Sequence, residues 1–261
     1  MFALSFAEYL WKRNLQHMIL HVTNNCNFRC HHCFIDFSHK KDLMLEQYVE
    51  LAKEVGPLFW LDIGGGEPFL RKDFVEILTA FQSKIIQIPT NASLLEPTVA
   101  QVRDILLRSK AEITISISVD GLQETHDRIR KHPGSWTTLW NTYEQLRSLD
   151  GPLSIKINSV LHRENAGEIL KLMKEVRKRD ADFHSIILLR GDPINSEYGL
   201  PSMEELHSLG PKILEILESY EYGRGRIAAH ILRNYHRYQW NISMRTLQER
   251  TQVIQCLAGR A

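Results

Sequence analysis

The sequence is poor in cysteine: there are four in 261 residues, and three of them fall at positions 26, 30 and 33. A disulfide-stapled domain spreads its cysteines along the chain, so this distribution speaks against such a framework. It points to a reducing compartment and one compact ligand cluster. An excess of one charge is also lacking. The formal net charge is +1, which gives no bulk attraction to nucleic acid or to an anionic membrane, and no nucleic-acid partner is expected. No run of about 18 apolar residues occurs, so no transmembrane segment is expected either. The first residues, MFALSFAEYLWKRNLQHM, carry Glu8, Lys12 and Arg13 where a secretory leader would need an apolar core. A short amphipathic helix over 1–15 and a cytoplasmic location are the corresponding expectations. Internal repeats and low-complexity segments are absent as well.

What the sequence does contain is a steady alternation. Short apolar runs rich in β-branched residues fall at 17–23, 58–63, 85–89, 113–119, 153–160 and 185–189. They are nearly continuous in apolar character, as strands covered on both faces should be. Between them, 45–55, 72–82, 98–109, 136–149 and 166–179 repeat their apolar residues every three or four positions, the period of an amphipathic helix. Strand and helix alternating about six times imply a parallel sheet with right-handed crossovers. A curved partial barrel and an open doubly wound sheet fit this equally. After Arg190 the pattern changes to a long loop and then helical segments over 203–220 and 225–248.

The first strand runs into HVTNNCNFRCHHCF, where Cys26, Cys30 and Cys33 follow C-x3-C-x2-C spacing. Three thiolates on one short loop can each take a corner iron of a cubane cluster, leaving the fourth iron open to an outside ligand. The same thiolates with His31 or His32 could form a Cys3His zinc site, and the loop alone leaves both readings open. The second strand ends in Gly64, Gly65, Gly66, Glu67 and Pro68. Glycines at such a turn let the backbone approach a ligand closely, and a carboxylate can receive an ammonium group.

A cysteine triplet after the first strand, followed by GGEP after the second, resembles the radical S-adenosylmethionine (SAM) superfamily. The resemblance covers nearly the whole chain and implies a partial (β/α)6 TIM-like barrel of parallel strands over 16–200. A helical C-terminal extension over 201–261 would follow, with the ligands at the carboxyl ends of the strands. It implies a [4Fe–4S] cluster on Cys26, Cys30 and Cys33, with SAM on the fourth iron and its amine received by Gly64, Gly65, Gly66, Glu67 and Pro68. Later matches extend the set. PTNAS resembles the family's TNG turn and contributes Asn91, with Ala92 in place of glycine. SVDG contributes Ser118 and Asp120 near the ribose. HDRIRKHPGSW contributes Arg130 as a partner for the SAM carboxylate, with Lys131 in place of glycine. Asn158 resembles a family asparagine near SAM, Leu189 and Arg190 would lie by the adenine, and His32 stands where the family often packs an aromatic. His126 and His184 are read as structural or solvated.

The implied activity is reductive cleavage of SAM to methionine and a 5′-deoxyadenosyl radical, which takes hydrogen from a peptide or small-molecule substrate. A flavodoxin or ferredoxin is the implied electron donor. The segment around Cys256 resembles the opening of a SPASM-type auxiliary-cluster domain, with Cys256 unligated within this chain. The alternatives are a non-catalytic zinc or iron–sulfur module, and an incomplete fragment of a longer enzyme.

Overall fold

A computed structural model describes residues 17–38, 41–220 and 225–253. The expected leading helix and Cys256 lie outside the described residues. Six strands form one sheet in the order β1-β2-β3-β4-β5-β6, every neighbouring pair parallel. They are β1 (His17–Thr23), β2 (Leu58–Gly65), β3 (Ser83–Thr90), β4 (Glu112–Ser118), β5 (Leu153–Leu161) and β6 (Phe183–Leu188). Strictly sequential order without pairing of β1 to β6 makes this a partial barrel and removes the doubly wound alternative, which needs a reversal of strand order.

The crossovers are α1 (Leu45–Val55), a 3-10 turn (Pro68–Leu70) with α2 (Phe74–Ala80), α3 (Leu95–Arg108), α4 (Gln123–Arg130) with α5 (Ser135–Arg147), and α6 (Ile169–Lys178). Two further helices follow, α7 (Met203–Glu218) and α8 (Gly225–Glu249). Ser202 and Glu205 close a reciprocal capping box at the start of α7.

One strand face carries the core. Ile86 and Ile88, then Ile113, Ile115 and Ile117, then Ile155 and Ile157 stand side by side in register and are all nearly or fully buried. They pack against Val102 and Ile105 of α3, Leu139 and Leu146 of α5, and Leu172 and Val176 of α6. Each such side chain contributes about 1.5–3 kcal/mol through burial. Successive strand residues point to opposite sides, so the other face collects Asp62, Gln87, Thr114, Ser116, Lys156 and Asn158. That is a polar interior.

Helix α4 has no counterpart among the helical periods in the sequence. Its sequence, QETHDRIR, contains one aliphatic residue and buries only His126, Ile129 and Arg130. Its burial is polar, so the hydrophobic period is silent. Lys131 ends the helix in the left-handed conformation at φ 53°. An exposed lysine therefore holds the backbone shape that glycine adopts without strain. Lys131→Gly is expected to stabilise the protein by up to about 1 kcal/mol. A chemical denaturation midpoint that stays put or falls would contradict this.

Candidate functional site

The loop after β1 carries the three thiols, and the rest of the sheet's carboxyl end holds that loop in place. Gly66 N–H donates to Thr23 O at 2.7 Å and Glu67 N–H to Asn25 O at 2.9 Å. Arg71 Nη1 donates to Val22 O at 2.8 Å. On the other side His31 N–H donates to Ile129 O of α4 at 3.0 Å, and Ile194 N–H donates to Cys33 O at 2.8 Å. Burial pushes the Cys26 thiol up to about 11 and raises that of Cys30. Binding a metal at these thiols therefore means displacing their protons.

The GGEP residues act first on the chain itself. Gly65 has φ +112°, and a Cβ there would lie 2.2 Å from Thr23 O; one on Gly66 would lie 2.1 Å from Asn25 O. The close approach these glycines permit is to the thiol-bearing loop. Gly64 has ordinary space around it. Glu67 is turned inward, accepting from Thr90 Oγ1 and Asn91 N at 2.8 Å each and from Phe69 N at 3.4 Å. Burial, opposed by these donors, pushes its carboxyl up to about 7. Pro68 opens the 3-10 turn, where its missing N–H costs nothing. Asn91 is tied to the same loop through Asn27 Oδ1 at 2.9 Å and lies 3.9 Å from Cys26 Sγ.

Asp120 and Arg130 form the charged centre of the site. Asp120 is fully buried; its Oδ1 accepts from Val160 N at 2.9 Å and its Oδ2 meets Arg130 Nη2 at 2.5 Å. Burial alone would raise the Asp120 carboxyl, but Arg130 outweighs it and holds the group well below the ordinary carboxylate range. Burial likewise opposes the Arg130 cation, and Asp120 and Cys30 more than restore it. The other arm of the fork, Arg130 Nη1, lies 3.7 Å from Cys30 Sγ. One carboxylate, one guanidinium and one thiol thus form a chain.

Ser118 and Asn158 are register partners on β4 and β5, immediately before this chain of contacts. Leu189 packs with Ile129 and Tyr198 beside Arg130, and its N–H donates to Leu161 O at 3.0 Å. The structure therefore brings the sequence-marked residues into two contiguous groups. Cys26, Asn91, Glu67 and the glycines form one; Cys30, Asp120, Arg130, Ser118, Asn158 and Leu189 form the other.

Sequence reasoning missed the supports. Asn165 Nδ2 donates to Asp120 O at 2.7 Å and to Val160 O at 2.8 Å, and the Asp120 N–H donates to His126 Nδ1 at 3.2 Å. His162 is fully buried and stacks on His32 with centroids 5.6 Å apart. Asn165 and His162 lie in a polar turn whose sequence carries no signal of their burial. His126, read as structural or solvated, is structural.

Both candidate zinc histidines are engaged away from the thiols. His31 stacks on Tyr198 at 5.0 Å, and its Nδ1 lies 3.4 Å from Asn195 Nδ2. His32 faces Asp120, with Nε2 3.6 Å from Oδ2. Among the described residues no three His, Cys, Asp or Glu side chains close around a single ion. A mononuclear zinc needs every ligand at about 2.0–2.3 Å, whereas a cubane takes each thiolate on a separate iron. Arg130 Nε, Asn158 Oδ1 and His32 Nδ1 are buried and unpartnered. Buried polar atoms are ordinarily satisfied; other such atoms occur elsewhere in the fold, but these three belong to residues the sequence marks for the site, and each is open to a polar ligand. A donor from Arg130 suits a carboxylate, and an acceptor from Asn158 suits a hydroxyl or amine. The residues present fit a cluster and SAM.

Six parallel strands in sequential order with a three-thiol loop at their carboxyl end define the class: a partial α/β barrel. The chain belongs to the radical SAM superfamily, whose model matches residues 20–176, more than half of its length. Members of this superfamily bind SAM and a [4Fe–4S] cluster. An S-adenosylmethionine-dependent nucleotide dehydratase of Selenomonas ruminantium is 33% identical over 168 residues, covering 59% of each chain. A GTP 3′,8-cyclase of Helicobacter pylori is 26% identical over 243 residues, 82% of this chain and 73% of that enzyme. The fold is shared with anSMEcpe, solved with AdoMet and a Cp18Cys peptide, at TM-score 0.62 and 16% identity over 77% of this chain and 60% of that one. The chain thus spans about three-fifths of the length of the dehydratase and of anSMEcpe. Among the described residues no helix is long and apolar enough to cross a membrane.

Proposed function

We propose that this chain binds a [4Fe–4S] cluster through Cys26, Cys30 and Cys33 and reductively cleaves SAM, directing the resulting hydrogen abstraction at a substrate held in the barrel interior. The observation that carries this reading is the set of three thiols on one loop with Arg130 set against Cys30 Sγ, and with Arg130 Nε and His32 Nδ1 buried without a partner. When bound, the cluster and SAM supply the one-electron chemistry. The protein's part is to bind, orient and exclude water. Arg130 offers Nε to the SAM carboxylate, and the 64–68 turn lies against the loop where the amine would be received. Ser118, Asp120 and Asn158 line the ends of β4 and β5 for the ribose. Leu189 and His32 supply the apolar and stacking surfaces for the adenine. An external one-electron donor of the flavodoxin or ferredoxin type completes the system.

For the substrate, the polar interior supports a small polar molecule. Lys156 stands there in register with Ser116. Burial pulls its ammonium below the ordinary lysine value, with Asp62 opposing. A cation in that interior suits an anionic group on the substrate, in keeping with the nucleotide chemistry named for the dehydratase and the cyclase. A peptide substrate is the second reading, supported by the peptide held by anSMEcpe.

Two measurements test this. Asn158→Ala should weaken SAM about tenfold, the equivalent of one hydrogen bond of about 1.5 kcal/mol, with iron content unchanged. Wild-type affinity in equilibrium titration would remove Asn158 from the site. Candidate nucleotides and peptides, each presented in deuterated form, should separate the substrate classes: the true class transfers deuterium into 5′-deoxyadenosine.

A further inference from the structure

The contacts of Arg130 support more than SAM binding. Its guanidinium is held on one arm by Asp120 and set on the other against Cys30 Sγ. Asp120 is itself fixed from three directions: Val160 N–H on its carboxylate, Asn165 on its carbonyl, and His126 on its amide. The helix bearing Arg130 is tied to the cysteine loop through His31 N–H and Ile129 O. The charge and the sulfur are therefore held at one separation by backbone and side-chain bonds from α4, β5 and the turn after β5. Charges and hydrogen bonds at ligating sulfurs set the reduction potential of an iron–sulfur cluster. A cation beside a thiolate favours the reduced, more negative cluster, and an anion beside that cation weakens the effect.

We infer that the Asp120–Arg130 pair tunes the potential of the cluster through Cys30, Arg130 raising it and Asp120 limiting the rise. Toward the cluster, as distinct from their proposed contacts with SAM, the pair acts through Cys30, and in that role both members are positioning residues. This inference rests on the assignment of the cluster to Cys26, Cys30 and Cys33.

The test is a redox titration of the reconstituted cluster, followed by electron paramagnetic resonance of the reduced form, with no SAM present so that only the protein's charges act. Asp120→Asn keeps an oxygen for Val160 N–H and removes the anion, and its midpoint should rise. Arg130→Met removes the cation, and its midpoint should fall. Arg130→Lys keeps the charge without the fork and should stay closer to wild type than Arg130→Met does. Opposite shifts are a result that loosened structure would not give, since damage moves both variants the same way. Losing one partner of a buried pair leaves the other charge uncompensated and destabilises the fold. Should Arg130→Met fail to hold a cluster, Asp120→Asn and Arg130→Lys decide alone. A midpoint in Asp120→Asn at or below that of wild type overturns the proposal, as does an Arg130→Met midpoint at or above it. Iron and sulfide analysis separates the two levels: protein without iron and sulfide contradicts the cluster assignment, whereas a full cluster with unmoved midpoints contradicts only the tuning.

Discussion

A Gly66→Val protein is expected to lose its cluster before it loses its fold. The added Cβ would lie 2.1 Å from Asn25 O, a backbone atom of the thiol-bearing loop. Backbone cannot swing aside as a long side chain can, so either the loop shifts or the turn opens. Both outcomes break Gly66 N–H to Thr23 O and Glu67 N–H to Asn25 O, and Asn25 immediately precedes Cys26. The aliphatic core on the other face of the sheet is untouched, so far-UV circular dichroism should stay near wild type. Iron per chain after reconstitution should fall from about four towards zero. A variant that retains full iron would show that the loop does not depend on this contact. The same experiment at Gly64, where a Cβ meets nothing closer than 3.5 Å, should leave iron in place when alanine is introduced.

Acid is expected to unfold this protein well before it titrates ordinary carboxylates. Burial holds His126 and His184 down to about 3, and His32, His162 and His236 down to about 4. Each is neutral in the folded state across the range from pH 7 to pH 5, while the unfolded chain takes up a proton near pH 6.5. The unfolded state binds more protons, so stability falls as pH falls below about 6.5. Each histidine contributes about 2 kcal/mol of loss by pH 5. Glu67 has the opposite sign: held up to about 7 when folded, it takes up its proton first in the native state and offsets about one histidine. The net loss is on the order of 5 kcal/mol or more, comparable to the whole stability of a typical domain. Urea midpoints of the metal-free protein at pH 7 and pH 5 measure it directly. Equal midpoints would contradict the buried neutral histidines, and His184→Leu should remove about one proton's worth of the slope.

The parts of this molecule that are legible in the sequence are those that repeat. The aliphatic strands and the amphipathic helices between them announce themselves by period, so β1 and α1 are met at their observed limits. The three thiols are legible because cysteine is scarce and these are adjacent. Helix α4 and the supports from Asn165 and His162 are not legible, because their burial is polar and rests on partners distant in the chain: Asn165 reaches Asp120 across 45 residues, and His162 stacks on His32 of the cysteine loop. The GGEP turn is legible as a close-approach turn, but its contacts within the chain are not. Its glycines and Glu67 answer to the loop, to Thr90 and to Asn91, which become neighbours only once β1, β2 and β3 stand side by side.

The assay that bears most directly on this account is SAM turnover by anaerobically reconstituted, reduced protein. Methionine and 5′-deoxyadenosine should appear together, with about four irons per chain. Cys26→Ala, Cys30→Ala and Cys33→Ala should each abolish both iron loading and product, since two thiolates no longer hold a cubane with one open corner. Sustained cleavage in any one of these variants, or a wild-type protein that takes up zinc in place of iron and sulfide, would contradict it.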